Sequence, residues 1–186
     1  MRTNTFETRS GGDLRAISTN KLTGYAAVYN SLSQDLGGFV ERIMPGAFKR
    51  SLAKPDNIRA LYEHDHQKTL GRVGAGTLEL TENSKGLYFE LTLPDTTYAR
   101  DLGVLVQRGD IAGCSFGFRV PENGDRWDIR GGVLTRDLLD VELHEITITG
   151  NPAYLDTTVA VRSMEQWRKI NSDRARSLEA LWIETL

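Results

Sequence analysis

A mainly β domain with peripheral helices (α+β), closed or nearly closed into an antiparallel barrel, is the fold class that this sequence predicts, on three observations. Short stretches with period-two apolar alternation recur along the chain. Eighteen glycines in 186 residues cluster between those stretches, where tight turns are required. Only a few segments change to a helical period. Many short strands in an open sheet leave exposed edges, and closure into a barrel removes them.

Taken in order, the first twenty residues are polar, and Arg9-Ser10-Gly11-Gly12-Asp13 reads as loop or arm. A strand starts near Leu22 and runs through Val28 and Tyr29; Phe39–Ile43 is another. Pro45 suits the first turn of a helix through Leu52, because its missing N–H has no helical partner there anyway. Ile58–Tyr62 alternates as a strand and delivers His64 at or just past its end. Thr77–Thr81 and Leu87–Leu93 flank a hairpin turn that closes on Gly86, where a left-handed residue is expected. Tyr98, Leu102, Leu105 and Val106 form a helical stripe, with Asp95 or Thr96 as cap and Gly109 as stop.

Cys114–Val120 returns to period two. Cys114, Phe116, Phe118 and Val120 share one face, and Ser115, Gly117 and Arg119 share the other, which predicts that Ser115 lies on a small polar face outside the core. Trp127–Ile129 and Val133-Leu134 flank a second hairpin at Arg130-Gly131-Gly132. Asp140–Thr149 is the longest strand expected, ended by Gly150-Asn151-Pro152. From Ser163 the pattern is helical, marked by Met164, Trp167, Ile170, Leu178, Leu181 and Trp182.

An apolar share of 39% supports a core, and a net charge of −2 argues for neither a nucleic-acid surface nor a solvating acidic tail. No apolar stretch is long enough to span a membrane, and no secretory signal pattern opens the chain. Cys114 is the only cysteine, which excludes an internal disulfide and two-cysteine zinc sites and fits a reducing, intracellular setting.

The chemistry-bearing residues fall in three places. Ser115 sits between two glycines, in Gly113-Cys114-Ser115-Phe116-Gly117. Glu63-His64-Asp65-His66 lies upstream and Glu142-Leu143-His144-Glu145 downstream. A serine hydroxyl is a poor nucleophile near neutral pH and needs a base; imidazole has the right pKa, and a carboxylate orients it. The chain order is then histidine, serine, acid. The G-x-S-x-G match is coincidental: a nucleophile elbow runs from strand to helix, and here a helix precedes the serine and a strand follows.

Each place also has a plainer reading. A serine beside glycines in a strand is structural in most proteins, and the histidine turn can be a polar turn. His64 and His66 share one face if extended and also suit a metal, with Glu145 or His144 completing the shell. In Val141–Ile148 the apolar face switches partway, which indicates a bulge or a barrel rim and leaves one polar residue among apolar neighbours. A buried acid there needs a partner. Glu145 is the first choice for that acid and His144 the second, and an edge strand with charge on its wet face is an equal alternative.

The succession Gly24-Tyr25-Ala26, Met44-Pro45-Gly46-Ala47-Phe48, Glu63-His64-Asp65, Leu70-Gly71-Arg72, Gly86-Leu87, Gly113–Phe118 and Glu145–Tyr154 resembles the prohead proteases of tailed bacteriophages, in order from about residue 20 to 162. The resemblance implies a serine endopeptidase with the mostly antiparallel barrel of the herpesvirus assemblin proteases. It implies that His64 is the base, Ser115 the nucleophile and Glu145 the third member, where the herpesvirus branch uses a second histidine. No cofactor and no metal are expected. The expected partners are the major capsid protein and its scaffold segment, the chain itself through self-cleavage, and a second copy as homodimer; nucleic acid and membrane are not expected. The expected place of action is the assembling procapsid in the host cytoplasm.

Three parts follow: an N-terminal arm over 1–20, a protease domain over 21–162, and a C-terminal helical arm over 163–186, read as exposed and amphipathic. The alternatives are a catalytically inactive capsid-assembly or scaffold protein, with Ser115 and His64 too far apart to interact, and a metal-dependent hydrolase using His64 and His66.

Overall fold

The computed structural model describes residues 5–150, 164, 165 and 167–173. Its elements are β1 (Phe6–Ser18), β2 (Lys21–Val28), β3 (Val40–Ile43), α1 (Lys49–Leu52), β4 (Arg59–Tyr62), β5 (Asp65–Arg72), β6 (Leu78–Glu82), β7 (Gly86–Thr92), α2 (Thr97–Arg108), β8 (Gly113–Arg119), β9 (Asp125–Arg130), β10 (Val133–Leu138) and β11 (Glu142–Thr149). The main sheet has the order β5-β4-β11-β8-β1-β2-β7-β6, and a smaller sheet has the order β3-β10-β9.

Connectivity forces the main sheet to curl. Its edge strands β5 and β6 are joined by residues 73–77 alone, which span at most about 20 Å. The edges of a flat eight-stranded sheet lie roughly 34 Å apart. The two edges therefore meet: the Arg72 N–H donates to Thr77 Oγ1 at 3.0 Å, and the Thr77 N–H returns to the Arg72 carbonyl at 3.3 Å. The fold is mainly β with peripheral helices, and the main sheet is a nearly closed barrel. All strand pairs are antiparallel except β4–β11 and β3–β10.

The barrel is filled by one apolar cluster. Phe48 packs edge-on against Phe116, which stacks on Phe118, and α2 adds Ala99, Leu102 and Val106. Thr96 is the N-cap of α2 but makes no side-chain cap bond, and Gly109 closes the helix at φ +82°. Gly86 is not left-handed. A Cβ there would lie 2.0 Å from the Ala27 carbonyl oxygen, so glycine is required by close strand approach rather than by the turn.

Several expectations are corrected. Residues 6–18 are not a loop or arm: β1 is the longest strand of the described residues, longer than β11, and lies between β8 and β2. Its local sequence is polar because Glu7 and Arg9 are buried against charges from far along the chain. Strand β5 was not foreseen, since Asp65–Arg72 has no apolar alternation. The helix after Pro45 is short, with residues 45–48 in turns and only Lys49–Leu52 helical.

The smaller sheet is fastened to β1 by ions. Arg136 on β10 donates to Glu7 on β1 at 2.9 and 3.1 Å, to Glu41 on β3 at 3.0 Å and to Asp125 on β9 at 2.8 Å. Arg9 donates to Glu41 at 2.8 Å and to Glu7 at 2.6 Å. Beside this network Leu36, Phe39, Leu134 and Met164 form a second apolar cluster, and Trp127 stacks on Trp167. Met164 and Trp167 thus dock on the smaller sheet, which corrects the reading of this region as a wholly exposed arm; residues 168–173 are exposed. The expected helix marks Leu178, Leu181 and Trp182, and the stop at Asn151-Pro152, lie outside the described residues.

Candidate active site

The β4–β5 hairpin turns in two residues, with Tyr62 paired to Asp65. A two-residue loop of this hand needs φ > 0 at both positions and favours Asn-Gly. Here the residues are Glu63 at φ +52° and His64 at φ +56°. Neither is glycine, so each costs on the order of 1–2 kcal/mol of backbone strain.

The strained turn aims His64 at β8. Its Nε2 lies 2.7 Å from Ser115 Oγ, and its Nδ1 lies 2.8 Å from Glu145 Oε1. A carboxylate only accepts, so the proton sits on Nδ1, and the Nε2 lone pair faces the serine hydroxyl. Thr147 Oγ1 donates to the same Glu145 oxygen at 3.4 Å. The Glu145 side chain is 3% exposed and that of His64 30%, so the acid is sealed while the imidazole remains reachable.

Ser115 is fully buried, although it lies on the strand face expected for it, outside the apolar core cluster. It points away from Cys114, Phe116 and Phe118, which belong to that cluster. The second face of β8 is covered as well. β11 runs alongside with Thr147 opposite Ser115 and Glu145 opposite Gly117. The register between β8 and β11 slips between Leu143 and Glu145, which is the bulge expected from the switch of apolar face.

Gly117 has a positional reason. A Cβ there would lie 2.3 Å from Phe6 Cζ and 2.8 Å from Glu145 Cγ. The Glu145 side chain lies against β8 at Gly117, where the strand carries no side chain to block it. Of the other sequence candidates, His144 turns to Glu142 at 3.5 Å and to the Phe6 ring. His66 is exposed, with Nδ1 3.9 Å from Glu145 Oε2. Among the described residues, no three His, Cys, Asp or Glu side chains gather to hold a metal. Cys114, beside the serine, faces the core; burial, with the Asp13 charge adding, pushes its thiol up to about 12, so it holds no thiolate near neutral pH.

Sequence reasoning missed two contributors. Glu63 stood next to His64 in the motif, but nothing local shows that a Glu-His pair takes left-handed backbone. Gly117 was placed on the strand face of Ser115, but nothing in the sequence showed that the Glu145 side chain lies against it. Among the described residues, no helix is long and apolar enough to cross a membrane.

A serine hydroxyl bonded to an imidazole that is itself bonded to a carboxylate is the arrangement by which serine hydrolases activate their nucleophile. Residues 5–170 match the family described as caudovirus prohead serine protease, and the chain belongs to that family. It is a serine peptidase of bacteriophage capsid maturation, with a role in the phage procapsid inside the host. No curated protein and no solved structure matches the chain.

Proposed function

We propose that this chain is a prohead maturation endopeptidase in which Ser115 is the nucleophile, His64 the general base and acid, and Glu145 the residue that orients His64. The supporting observation is the unbroken line Ser115 Oγ–His64 Nε2 at 2.7 Å and His64 Nδ1–Glu145 Oε1 at 2.8 Å. Ser115 Oγ attacks the peptide carbonyl carbon while its proton passes to His64 Nε2. The tetrahedral adduct collapses as the C–N bond breaks, and His64 returns the proton to the departing amine. A water then repeats the attack on the acyl-enzyme with His64 as base, releasing the acid and restoring Ser115. Glu145, sealed from water, stabilises the imidazolium at each transfer.

The substrates we propose are scaffold or capsid-protein segments enclosed with the protease, and the chain itself. The protease domain ends near residue 162, with 163–186 as a helical appendage whose start docks on the smaller sheet. An inactive assembly protein would keep Ser115 and His64 apart, and their contact speaks for the active reading.

The test is co-expression with the major capsid protein of the same phage, with intact masses compared between wild type and Ser115→Ala. Shortened capsid protein with wild type alone is expected, the variant losing at least about 10³-fold in cleavage. Shortening with both would remove Ser115 from the mechanism. A folded wild type that shortens nothing, even in assembled proheads, would leave the inactive reading.

A further inference from the structure

We propose that Glu63 is a positioning residue that holds the His64 turn against the end of β11; the inference rests on the catalytic reading of His64. A turn built from two non-glycine left-handed residues, at φ +52° and +56°, does not keep its shape from local preference. Something outside the hairpin must select it.

Three bonds from Glu63 do so, all to consecutive residues of one segment. Its N–H donates to the Ile148 carbonyl at 3.1 Å. Its Oε2 accepts from the Thr149 hydroxyl at 2.7 Å, and its Oε1 accepts from the Gly150 N–H at 2.9 Å. The carboxylate thus fastens the residue before His64 to the strand that also carries Glu145. Base and orienting acid are referenced to a single element, so motion of the hairpin relative to β11 is what the clamp removes. Glu63 does not touch Ser115, and its role is exerted through His64. Misplacement of a catalytic group by about 1 Å costs on the order of 10²-fold, which sets the scale of the effect.

The experiment uses the full chain as wild type, Glu63→Ala, Glu63→Gln and Thr149→Val, with Ser115→Ala as the labelling blank and His64→Ala as the assignment control. One readout is the rate of covalent labelling by a fluorophosphonate, followed by mass. The other is the low-field proton resonance of His64 Nδ1–H bonded to Glu145, assigned by its loss in His64→Ala. Glu63→Ala is expected to lose that resonance and to label about 10- to 100-fold more slowly, with a cooperative melt retained. Glu63→Gln keeps an acceptor for the Gly150 N–H and is expected to retain the resonance and stay within about threefold of wild type. A Glu63→Ala protein with an unchanged resonance and labelling rate overturns the clamp. Should Glu63→Ala not fold, Thr149→Val decides: a weakened resonance supports the clamp, and an unchanged one overturns it. Wild type that resists labelling at Ser115 would count against the catalytic reading alone, since the resonance still reports on the clamp.

Discussion

Two of the sets of charged and polar side chains buried among the described residues are built in opposite ways. The network of Glu7, Arg9, Glu41, Asp125 and Arg136 is closed on itself: each guanidinium meets two or more carboxylates, and each of Glu7 and Glu41 meets both arginines. The Ser115–His64–Glu145 line is a single file, one bond per link, ending on an imidazole with 30% of its side chain exposed. It is held by a turn in strained backbone. A saturated ionic cluster has no unmet bond to offer a substrate and fixes how two sheets sit together. A single file aimed by strain is poor as fastening and suited to passing a proton.

The comparison breaks most easily at Arg136. Burial works against its charge, but Glu41 and Glu7 outweigh that and hold the guanidinium more firmly protonated than usual. Arg136→Met leaves two buried carboxylates with Arg9 as their remaining cation from the pair. The expected cost is about 3–5 kcal/mol of unfolding free energy, read from denaturant midpoints. Ser115→Ala, which removes one link of the other set, is expected to change stability by no more than about 1.5 kcal/mol. A loss below about 1 kcal/mol for Arg136→Met would show that the sheets stay together without the ions.

A subtler variant acts where Glu145 lies against β8. Gly117→Ala places a methyl 2.3 Å from Phe6 Cζ and 2.8 Å from Glu145 Cγ. Overpacking of this kind costs about 1–3 kcal/mol, and displacement of Glu145 is expected to slow cleavage about 10- to 100-fold. Adding Phe6→Ala relieves one contact and leaves the other. Stability is then expected to recover in part while cleavage stays slow. Recovery of cleavage as well would mean that Glu145 had never been displaced.

What could be read from the sequence follows the same division. Ser115, His64 and Glu145 lie in segments whose local pattern is informative: an alternating strand, a strand end, and a strand whose apolar face switches where the bulge falls. The structure brings these three side chains together, and places Asp65–Arg72 and Phe6–Ser18 in strands that local pattern did not show. β1 was hidden because its central position depends on Glu7 and Arg9 finding Glu41 and Arg136, 32 and more residues away. Partners at that distance leave no periodicity. The left-handed turn at Glu63 and His64 was hidden for a related reason, since the bonds that select it come from residues 148–150.

Acid titration sharpens the contrast, with the smallest effect of the three. Burial alone would raise the Glu7 carboxyl, but Arg136 and Arg9 hold it below its ordinary value. A carboxyl lowered in the folded state gives stability that is fully present above its unfolded value, near 4.5. That stability is lost as pH falls below that value and the unfolded chain takes up the proton first. Glu7→Gln removes this proton uptake. Its stability between about pH 4.5 and 3 is expected to fall less steeply than that of wild type, by up to about 1.4 kcal/mol per pH unit, although it starts from a lower value at neutral pH. Ser115→Ala carries every carboxylate of the wild type and is expected to keep the wild-type slope. Equal slopes for Glu7→Gln and wild type would mean that Glu7 is not held ionised by the arginines, and the ionic cluster would then owe its rigidity to packing rather than to charge.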